Sequence, residues 1–146
     1  MINGKFQEPE SLPEHVNCGE NSFNAFISPD EKYLIMPIAG MEESNEGSID
    51  YYIFFRDNDD NWSEPINMGT KINTGSDLEY SASVSPDKEA LFFMSSSLIN
   101  IDSIFILIPD GNLMKLYDMP ETGNPNIYWI KADIISDLKQ KALFIK

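Results

Sequence analysis

Residues 57–61, Asp-Asn-Asp-Asp-Asn, place five oxygen-bearing side chains next to one another. Asp57, Asp59 and Asn61 have the spacing of the first three ligands of a calcium-binding loop, and calcium prefers carboxylate and amide oxygens. The glycine and the later glutamate of such loops are missing. Asp and Asn also favour tight turns, because their side chains bond to nearby backbone. Two interpretations stay open: a calcium site at these three residues, or a solvated turn between two strands.

Other catalytic or metal-binding residue types are scarce. His15 is the only histidine and Cys18 the only cysteine, so one chain cannot build a zinc site from such side chains. His15 lies in a Pro/Glu-rich stretch far from any nucleophile motif, and we expect it in an exposed loop. Cys18 has no partner for an intramolecular disulfide and no basic neighbour to activate it, so we expect an unreactive thiol. We therefore assign no catalytic residue.

Carboxylates are plentiful, with 24 Asp and Glu residues. A pair of them could hydrolyse a glycan, although the sequence alone does not select the pair. Arg56 is the only arginine, which excludes the arginine cluster with which sialidase-like enzymes hold a substrate carboxylate. No glycine-rich loop lies between a strand and a helix, so nucleotide binding has no support. The residues favour a non-enzymatic protein, with a carboxylate-dependent glycan hydrolase as the alternative.

The charge of the chain restricts its partners. Ten Lys and Arg against 24 Asp and Glu leave a net charge of −14, which repels nucleic-acid phosphates and anionic membrane surfaces. No apolar run reaches the roughly 20 residues that span a bilayer, and Met1–Lys5 lacks the form of a signal peptide. We expect a protein partner or a small ligand, no nucleic acid and no membrane span.

An internal repeat determines the expected architecture. Four elements of the first copy recur at an offset of 56 residues, or 57 after one inserted residue. They are Lys5–Pro9, Val16-Asn17, Ser28-Pro29-Asp30 and Leu34-Ile35, matched by Asn61–Pro65, Ile72-Asn73, Ser85-Pro86-Asp87 and Leu91-Phe92. Each copy is expected to form four short strands, a to d, separated by turn residues.

The expected strands of the first copy are Phe23–Ser28, Tyr33–Ile38, Tyr51–Phe55 and Trp62–Met68. The third is an apolar run that indicates burial on both faces. Pro65 suits an outermost fourth strand, because proline cannot donate to a neighbouring strand. Aromatic residues of the strands could stack on sugars, but we expect them in the core. They are Tyr51, Tyr52, Phe54, Phe55 and Trp129.

The second copy is less regular. Strands a and b are expected at Tyr80–Ser85 and Ala90–Met94. Strand c has two candidates, which are Asn126–Lys131 and Ser103–Ile108, the latter with a hairpin to Leu113–Tyr117. After them, Asp133 is expected to cap a short helix, Ile134–Lys141, with Ile134, Ile135 and Leu138 on one face.

These repeated motifs resemble the WD40-like or PD40 β-propeller repeats, including the propeller portion of TolB-like proteins. The resemblance is carried by Ser28-Pro29-Asp30 and Ser85-Pro86-Asp87, each before an apolar strand, and by Trp62, Pro65 and their neighbours up to Asn73. Residues 126–132 resemble the end of such propellers. The resemblance implies a protein or small-ligand partner and a bacterial periplasmic or secreted location.

The chain departs from that family in two places. Glu31 and Lys88 stand where the family usually has glycine. If these positions need a positive φ, each side chain costs about 1 kcal/mol. Residues 98–123 look like an insertion relative to the family, so the second copy is expected to be elaborated.

The expected fold is a single all-β domain, residues 1–146, made of two antiparallel four-stranded propeller-type blades, a partial β-propeller, with a short C-terminal helix. Repeat one covers about 4–60, repeat two about 61–131 and the helix about 133–141.

Propellers close with about four to eight blades, so two repeats leave open ends. The chain is then a piece of a longer propeller, a head-to-tail oligomer in which Phe6–Leu12 completes a neighbour's blade, or a monomer capped by residues 98–123. The expected function is a non-enzymatic binding or scaffold module for protein–protein interaction in a bacterial envelope.

Overall fold

The computed structural model of the chain describes residues 8–42, 49–74, 79–96, 119 and 122–145. It is an all-β fold with two antiparallel sheets and a short C-terminal helix, as expected, and neither sheet closes into a barrel within these ranges. The strands are β1 (Asn21–Ser22), β2 (Phe26–Ile27), β3 (Tyr33–Ala39), β4 (Ile49–Phe55), β5 (Ile66–Asn67), β6 (Ala82–Val84), β7 (Ala90–Ser95) and β8 (Asn126–Lys131). The helix is α1 (Asp133–Lys139).

The first sheet has a broken strand at its inner edge. β1 and β2 pair with different ends of β3, and together they correspond to the expected strand a. Residues 23–25 separate them and lie opposite Met36 and Pro37. The carbonyl of Pro37 accepts the N–H of Phe23 at 3.0 Å, but proline has no N–H to return. The missing donor of Pro37 explains why the strand is interrupted there.

The rest of the first sheet is regular. β3 pairs with β4 along seven residues, and β4 pairs with the short β5 at its outer edge, next to Pro65. Trp62, which precedes β5, forms a bridge to Arg56, and the guanidinium lies 5.7 Å from the centre of the indole ring. All seven residues of β4 are buried, which confirms that both faces of this strand are covered.

The second sheet has the order β6, β7, β8. β7 and β8 pair along six residues, with Phe92 opposite Trp129 and Met94 opposite Ile127. Of the two candidates for strand c, Asn126–Lys131 is therefore the strand that pairs with β7. Ser103–Ile108 and Leu113–Tyr117 lie outside the described residues.

Two apolar cores lie on opposite faces of the first sheet. The inter-sheet core lies between the two sheets and α1, and its buried members are Ile35, Tyr51, Ile53, Phe55, Met68, Ile72, Leu91, Phe93, Ala132 and Leu138. The outer core covers the other face of β3 and β4, and its buried members are Val16, Leu34, Met36, Ile38, Tyr52, Phe54 and Trp62. Alternation along β3 and β4 sends successive side chains into different cores. The first sheet is consequently buried on both sides.

The helix begins at Asp133, one residue earlier than the expected cap implies. Ala132 is the N-cap residue and makes no side-chain cap bond, while Asp133 lies inside the first turn, so the assignment of Asp133 as the cap was wrong. Its carboxylate still lies at the helix end where negative charge is favourable. Leu138, Ile134 and Ile135 pack on the inter-sheet core, as expected. No helix in the described ranges is long and apolar enough to cross a membrane.

The two Ser-Pro-Asp turns have matching hydrogen bonds. The Ser28 N–H donates to the Tyr33 carbonyl at 3.0 Å, and the Ser85 N–H donates to the Ala90 carbonyl at 2.9 Å. The hydroxyl oxygens accept backbone N–H groups of the same two partners, Tyr33 and Ala90. The repeat in the sequence is therefore also a repeat in local structure.

The residue after each Ser-Pro-Asp motif has the left-handed backbone conformation. Glu31 has φ 56° and Lys88 has φ 64°. An L side chain is strained in this region and glycine is not. Both side chains make surface ion pairs, Glu31 with Arg56 and Lys88 with Asp30. These ion pairs offset part of the strain.

The Tyr51 hydroxyl joins the two sheets. It lies 2.7 Å from the Met94 carbonyl oxygen and 2.9 Å from the Ser81 carbonyl oxygen, and it accepts the Ser81 N–H at 3.1 Å. Tyr51 belongs to β4, Met94 to β7, and Ser81 immediately precedes β6. One buried side chain of the first sheet thus satisfies backbone groups at two strands of the second.

We expect Tyr51→Phe to lower the free energy of unfolding by about 1–3 kcal/mol, because it leaves buried backbone groups of Ser81 and Met94 without this partner. Tyr128→Phe is the matched control, since the Tyr128 hydroxyl is buried and has no hydrogen-bond partner within the described part of the chain. Urea unfolding of both variants measures the effect. Equal stability of the two variants would contradict a structural role for the Tyr51 hydroxyl.

Glu31→Gly is expected to be more stable than Glu31→Ala by about 1 kcal/mol, because only glycine relieves the left-handed strain. Both variants lose the ion pair with Arg56, so the comparison isolates the backbone term. Glu64, which is exposed and has no positive φ, is the control position, where alanine should be the more stable. Thermal unfolding measures both pairs, and the same order at the two positions would exclude strain at Glu31.

Candidate functional site

The second sheet exposes a row of large apolar side chains. Trp129 is 65% exposed, Ile127 is 69% exposed and Phe92 is 38% exposed. β8 alternates, so that Ile127, Trp129 and Lys131 point away from the inter-sheet core. We call the surface formed by Phe92, Ile127 and Trp129 the open face. Exposed apolar clusters of this kind are typical of binding surfaces.

A groove of about 660 Å³ runs beside Phe92 and Trp129. Charged residues of both signs line the rest of it, including Lys88, Lys131 and Asp133. An apolar centre with a charged border is the arrangement found in protein–protein interfaces. The groove belongs to the same side of the second sheet as the open face.

The open face occupies a position in the repeat that is buried in the first copy. Phe92 corresponds to Ile35 at the offset of 57 residues. Trp129 pairs with Phe92 as Ile53 pairs with Ile35, so Trp129 corresponds to Ile53. By the same pairing, Ile127 corresponds to the fully buried Tyr51. The second sheet covers these positions on the first sheet, and the described residues place no further sheet on the open face.

The segment at residues 8–17, which we call the N-terminal segment, repeats the connection between the two sheets. Val16 and Asn17 donate their N–H groups to the Pro13 carbonyl, both at 3.0 Å. Ile72 and Asn73 donate in the same way to the Gly69 carbonyl, at 3.0 and 2.9 Å. These two short turns are equivalent in sequence and in hydrogen bonding.

The equivalent residues of these two turns differ in what surrounds them. Met68 is 2% exposed, whereas its counterpart Leu12 is 40% exposed. The Asn73 side chain is buried and bonds to the backbone of Tyr51, whereas Asn17 is exposed and its amide donates to the Leu12 carbonyl at 2.7 Å. The N-terminal segment therefore has the same hydrogen bonding as the connection at residues 68–73, but among the described residues no second sheet covers it.

Residues 57–61 form a turn. One carboxylate oxygen of Asp57 accepts the N–H groups of Asp59 and Asn61 at 2.8 and 2.9 Å, and the other accepts the Asn61 side-chain amide at 3.0 Å. These bonds to Asn61 are the main reason that the pKa of Asp57 is lowered. Asp60 has φ 66°, as tight turns require. The turn accounts for the composition of the cluster without an ion.

Calcium binding at Asp57, Asp59 and Asn61 stays a prediction. Both oxygens of Asp57 already accept hydrogen bonds within the turn, so an ion would compete with these donors. Across the described ranges, no group of three His, Cys, Asp or Glu side chains is placed to hold a metal ion together.

The single histidine and the single cysteine lie beside the outer core. His15 is half-buried rather than fully exposed, and its Nε2 donates to the Trp62 carbonyl at 3.3 Å. It thereby ties the N-terminal segment to the first sheet. Burial raises the pKa of the Cys18 thiol, so this cysteine is protonated at neutral pH and a poor nucleophile, in agreement with the sequence.

The carboxyl groups with displaced pKa values do not resemble a general acid. The Lys88 ammonium group beside Asp30 lowers the pKa of Asp30 to about 2. The Ser85 hydroxyl lowers the pKa of Asp87 in the equivalent turn. A general acid for glycan hydrolysis needs the opposite shift. Asp30, Asp57 and Asp87 therefore act as turn residues.

The open face was missed by the sequence analysis. Tyr51, Tyr52, Phe54 and Phe55 are buried as expected, but the expectation that Trp129 is a core residue was wrong. Alternation in β8 carries the signal, because it places Trp129 on the same face as Lys131, and a lysine is rarely buried. Phe92 has no such signal, since its exposure depends on what covers the second sheet.

No protein-family model, curated protein or solved structure matches this chain.

We expect Asp57→Ala to lower the melting temperature by the same amount with and without calcium at about 1 mM, a concentration that suits weak extracellular calcium sites. The reason is that the alanine variant loses the hydrogen bonds that close the turn. Asp59→Ala is the control, because only the backbone N–H of Asp59 bonds to Asp57. A calcium-dependent rise in melting temperature that both variants abolish would instead establish a calcium site.

Proposed function

We propose that this chain is a non-enzymatic, β-propeller-type binding or scaffold module that contacts a protein through the open face. The observation that carries the proposal is the exposure of Phe92, Ile127 and Trp129 at repeat positions that the first sheet buries against another sheet. A surface that is built like a covered one, and that no further sheet of the described residues covers, is suited to binding.

Contacts between the residues that separate β1 from β2 and the residues just before β6 support a propeller-type arrangement. Phe23 packs edge to face on Tyr80, its own counterpart, with ring centres 5.1 Å apart. Asn24 donates to the hydroxyl of its counterpart Ser81 at 3.2 Å. When a residue of one copy contacts the equivalent residue of the other copy, both lie near the rotation axis that relates the two copies. Adjacent propeller blades are related by rotation about a common axis that runs beside the first strand of each blade.

The composition of the open face favours a protein over a small ligand. Trp is among the residue types that contribute most to protein–protein binding energy, and Phe is enriched in interface cores. Here they are flanked by Lys88, Lys131 and Asp133. A groove of about 660 Å³ is large enough for a small molecule, so a small ligand is the second partner class. The resemblance to PD40 and TolB-like proteins adds a bacterial envelope as the proposed location.

The hydrolase alternative has less support. It requires one carboxyl group with a raised pKa near a second carboxylate. The displaced carboxyl groups Asp30, Asp57 and Asp87 have lowered pKa values and serve in turns. Glu79 is fully buried, and its Oε1 accepts the Thr74 N–H at 2.9 Å. This bond gives Glu79 a structural role in the segment that joins the two sheets.

A photo-activated cross-linker at position 129 tests the proposal in cells that produce the protein. We expect covalent adducts with an identified protein from position 129 and few from position 27, because Ile27 is 50% exposed but lies on the first sheet, away from the open face. Mass spectrometry of the adducts identifies the partner. Equal yields at the two positions would remove the support for protein binding through this face.

A further inference from the structure

We infer that the outer edge of β8, together with the open face, binds the N-terminal segment of a second copy of this chain, so that copies join head to tail. This inference rests on the proposed function and names the partner of the same surface. Within one chain, an equivalent segment already pairs with the equivalent strand.

Inside the chain, residues 66–73 bind along β4. Ile66 lies opposite Ile53 and Asn67 opposite Tyr52, and the Met68 N–H donates to the Tyr51 carbonyl at 3.0 Å. The Asn73 side chain then bonds to both backbone groups of Tyr51, accepting its N–H at 2.8 Å and donating to its carbonyl at 3.2 Å. An outer strand and one asparagine amide thus satisfy the open edge of β4.

The same pattern fits β8. β8 corresponds to β4, and residues 10–17 correspond to residues 66–73. The equivalence places Glu10 opposite Trp129 and Ser11 opposite Tyr128. Leu12 then takes the place of Met68, and the Asn17 amide takes the place of Asn73 at the backbone of Ile127. Pro9 matches Pro65, so the missing N–H again lies at an outer edge, where proline is tolerated.

Donor and acceptor are both accessible as far as the described part of the chain shows. Leu12 is 40% exposed and Asn17 is exposed. Within the described residues, β8 has a strand on one side only, β7. Strand addition to such an edge is a common mode of recognition, because the backbone provides the hydrogen bonds and the side-chain pockets provide specificity.

A chain cannot offer its own N-terminal segment to its own β8. Val16 is buried in the outer core with Leu34, and His15 bonds to the Trp62 carbonyl. Tyr128 and Ile130 of β8 pack on the inter-sheet core, which lies on the opposite face of the first sheet. The first sheet separates the two, so the segment that completes β8 comes from another copy.

The contact is heterologous, since it joins two different surfaces, so a pair of copies keeps one free donor on one copy and one free acceptor on the other. The net charge of −14 opposes association of like chains. Salt screens this repulsion, with a Debye length of about 10 Å at 0.1 M. We therefore expect association to strengthen as the salt concentration rises.

Two complementary variants test the inference by light scattering and sedimentation at high protein concentration and moderate salt. The acceptor-blocked variant carries Ile127→Asp and Trp129→Asp, and the donor-blocked variant carries Leu12→Asp and Asn17→Ala. All four positions are exposed, so the fold is expected to persist, and circular dichroism checks it. Ile27→Asp is the control for an added surface charge.

The expected result has three parts. Wild type and Ile27→Asp form oligomers whose mass rises with concentration, each blocked variant alone stays monomeric, and an equimolar mixture of the two blocked variants forms a one-to-one dimer. In the associated state, the amide of Ile127 exchanges hydrogen more slowly, because its counterpart Tyr51 donates to the Asn73 side chain, which corresponds to Asn17.

Three other outcomes would overturn the inference, and each would have a different meaning for the proposed function. A donor-blocked variant that still dimerises alone would indicate a face-to-face contact of two open faces. Monomers in every sample would exclude a second copy as the partner, and cross-linking from position 129 to a different protein would then leave the proposed function intact. Absence of both association and cross-linking would remove the two proposals together.

Discussion

The position of the second sheet depends on Tyr51, a fully buried residue of the first sheet. Its main chain is bound by Met68 and Asn73 of the connection between the sheets, and its hydroxyl is bound by Ser81 and Met94. Burial raises the pKa of Tyr51 far above its ordinary value, so the side chain stays neutral and keeps its donor proton. A hydroxyl in an apolar core is costly unless it is bonded, and this requirement makes the contact specific. One residue thus holds a strand, its connection and the neighbouring sheet in a single register.

The two sheets contact each other through non-equivalent faces. The second sheet lies on the first through Leu91 and Phe93, which belong to the inter-sheet core. The first sheet receives the second through Ile35, Tyr51 and Ile53. This direction explains why closely similar strands have such different exposure. The exposure of a residue follows from the order of the sheets as well as from its own strand.

Local signals were sufficient for most of the strands. The Ser-Pro-Asp turns, the apolar run of β4 and the position of Pro65 all depend on neighbouring residues, and each was interpreted correctly. The same holds for Glu31 and Lys88, whose positive φ follows from turn geometry. The open face and the bonds of Tyr51 were not foreseen. They depend on residues that are 30 or more positions apart and on which surface another sheet happens to cover, and no short pattern encodes that information.

Proline restricts the edges at which the described sheets can accept another strand. At the inner edge of the first sheet, Pro37 removes a donor and leaves β1 and β2 as two-residue fragments, too short to template an added strand. Pro65 and the bridge from Ser63 to Phe144 limit the outer edge in the same way. Short, interrupted edges of this kind protect β proteins from uncontrolled aggregation. β8 is longer and has no proline, so its free edge lacks this protection. Any fibre formed by this protein would therefore extend from that edge and have a defined polarity.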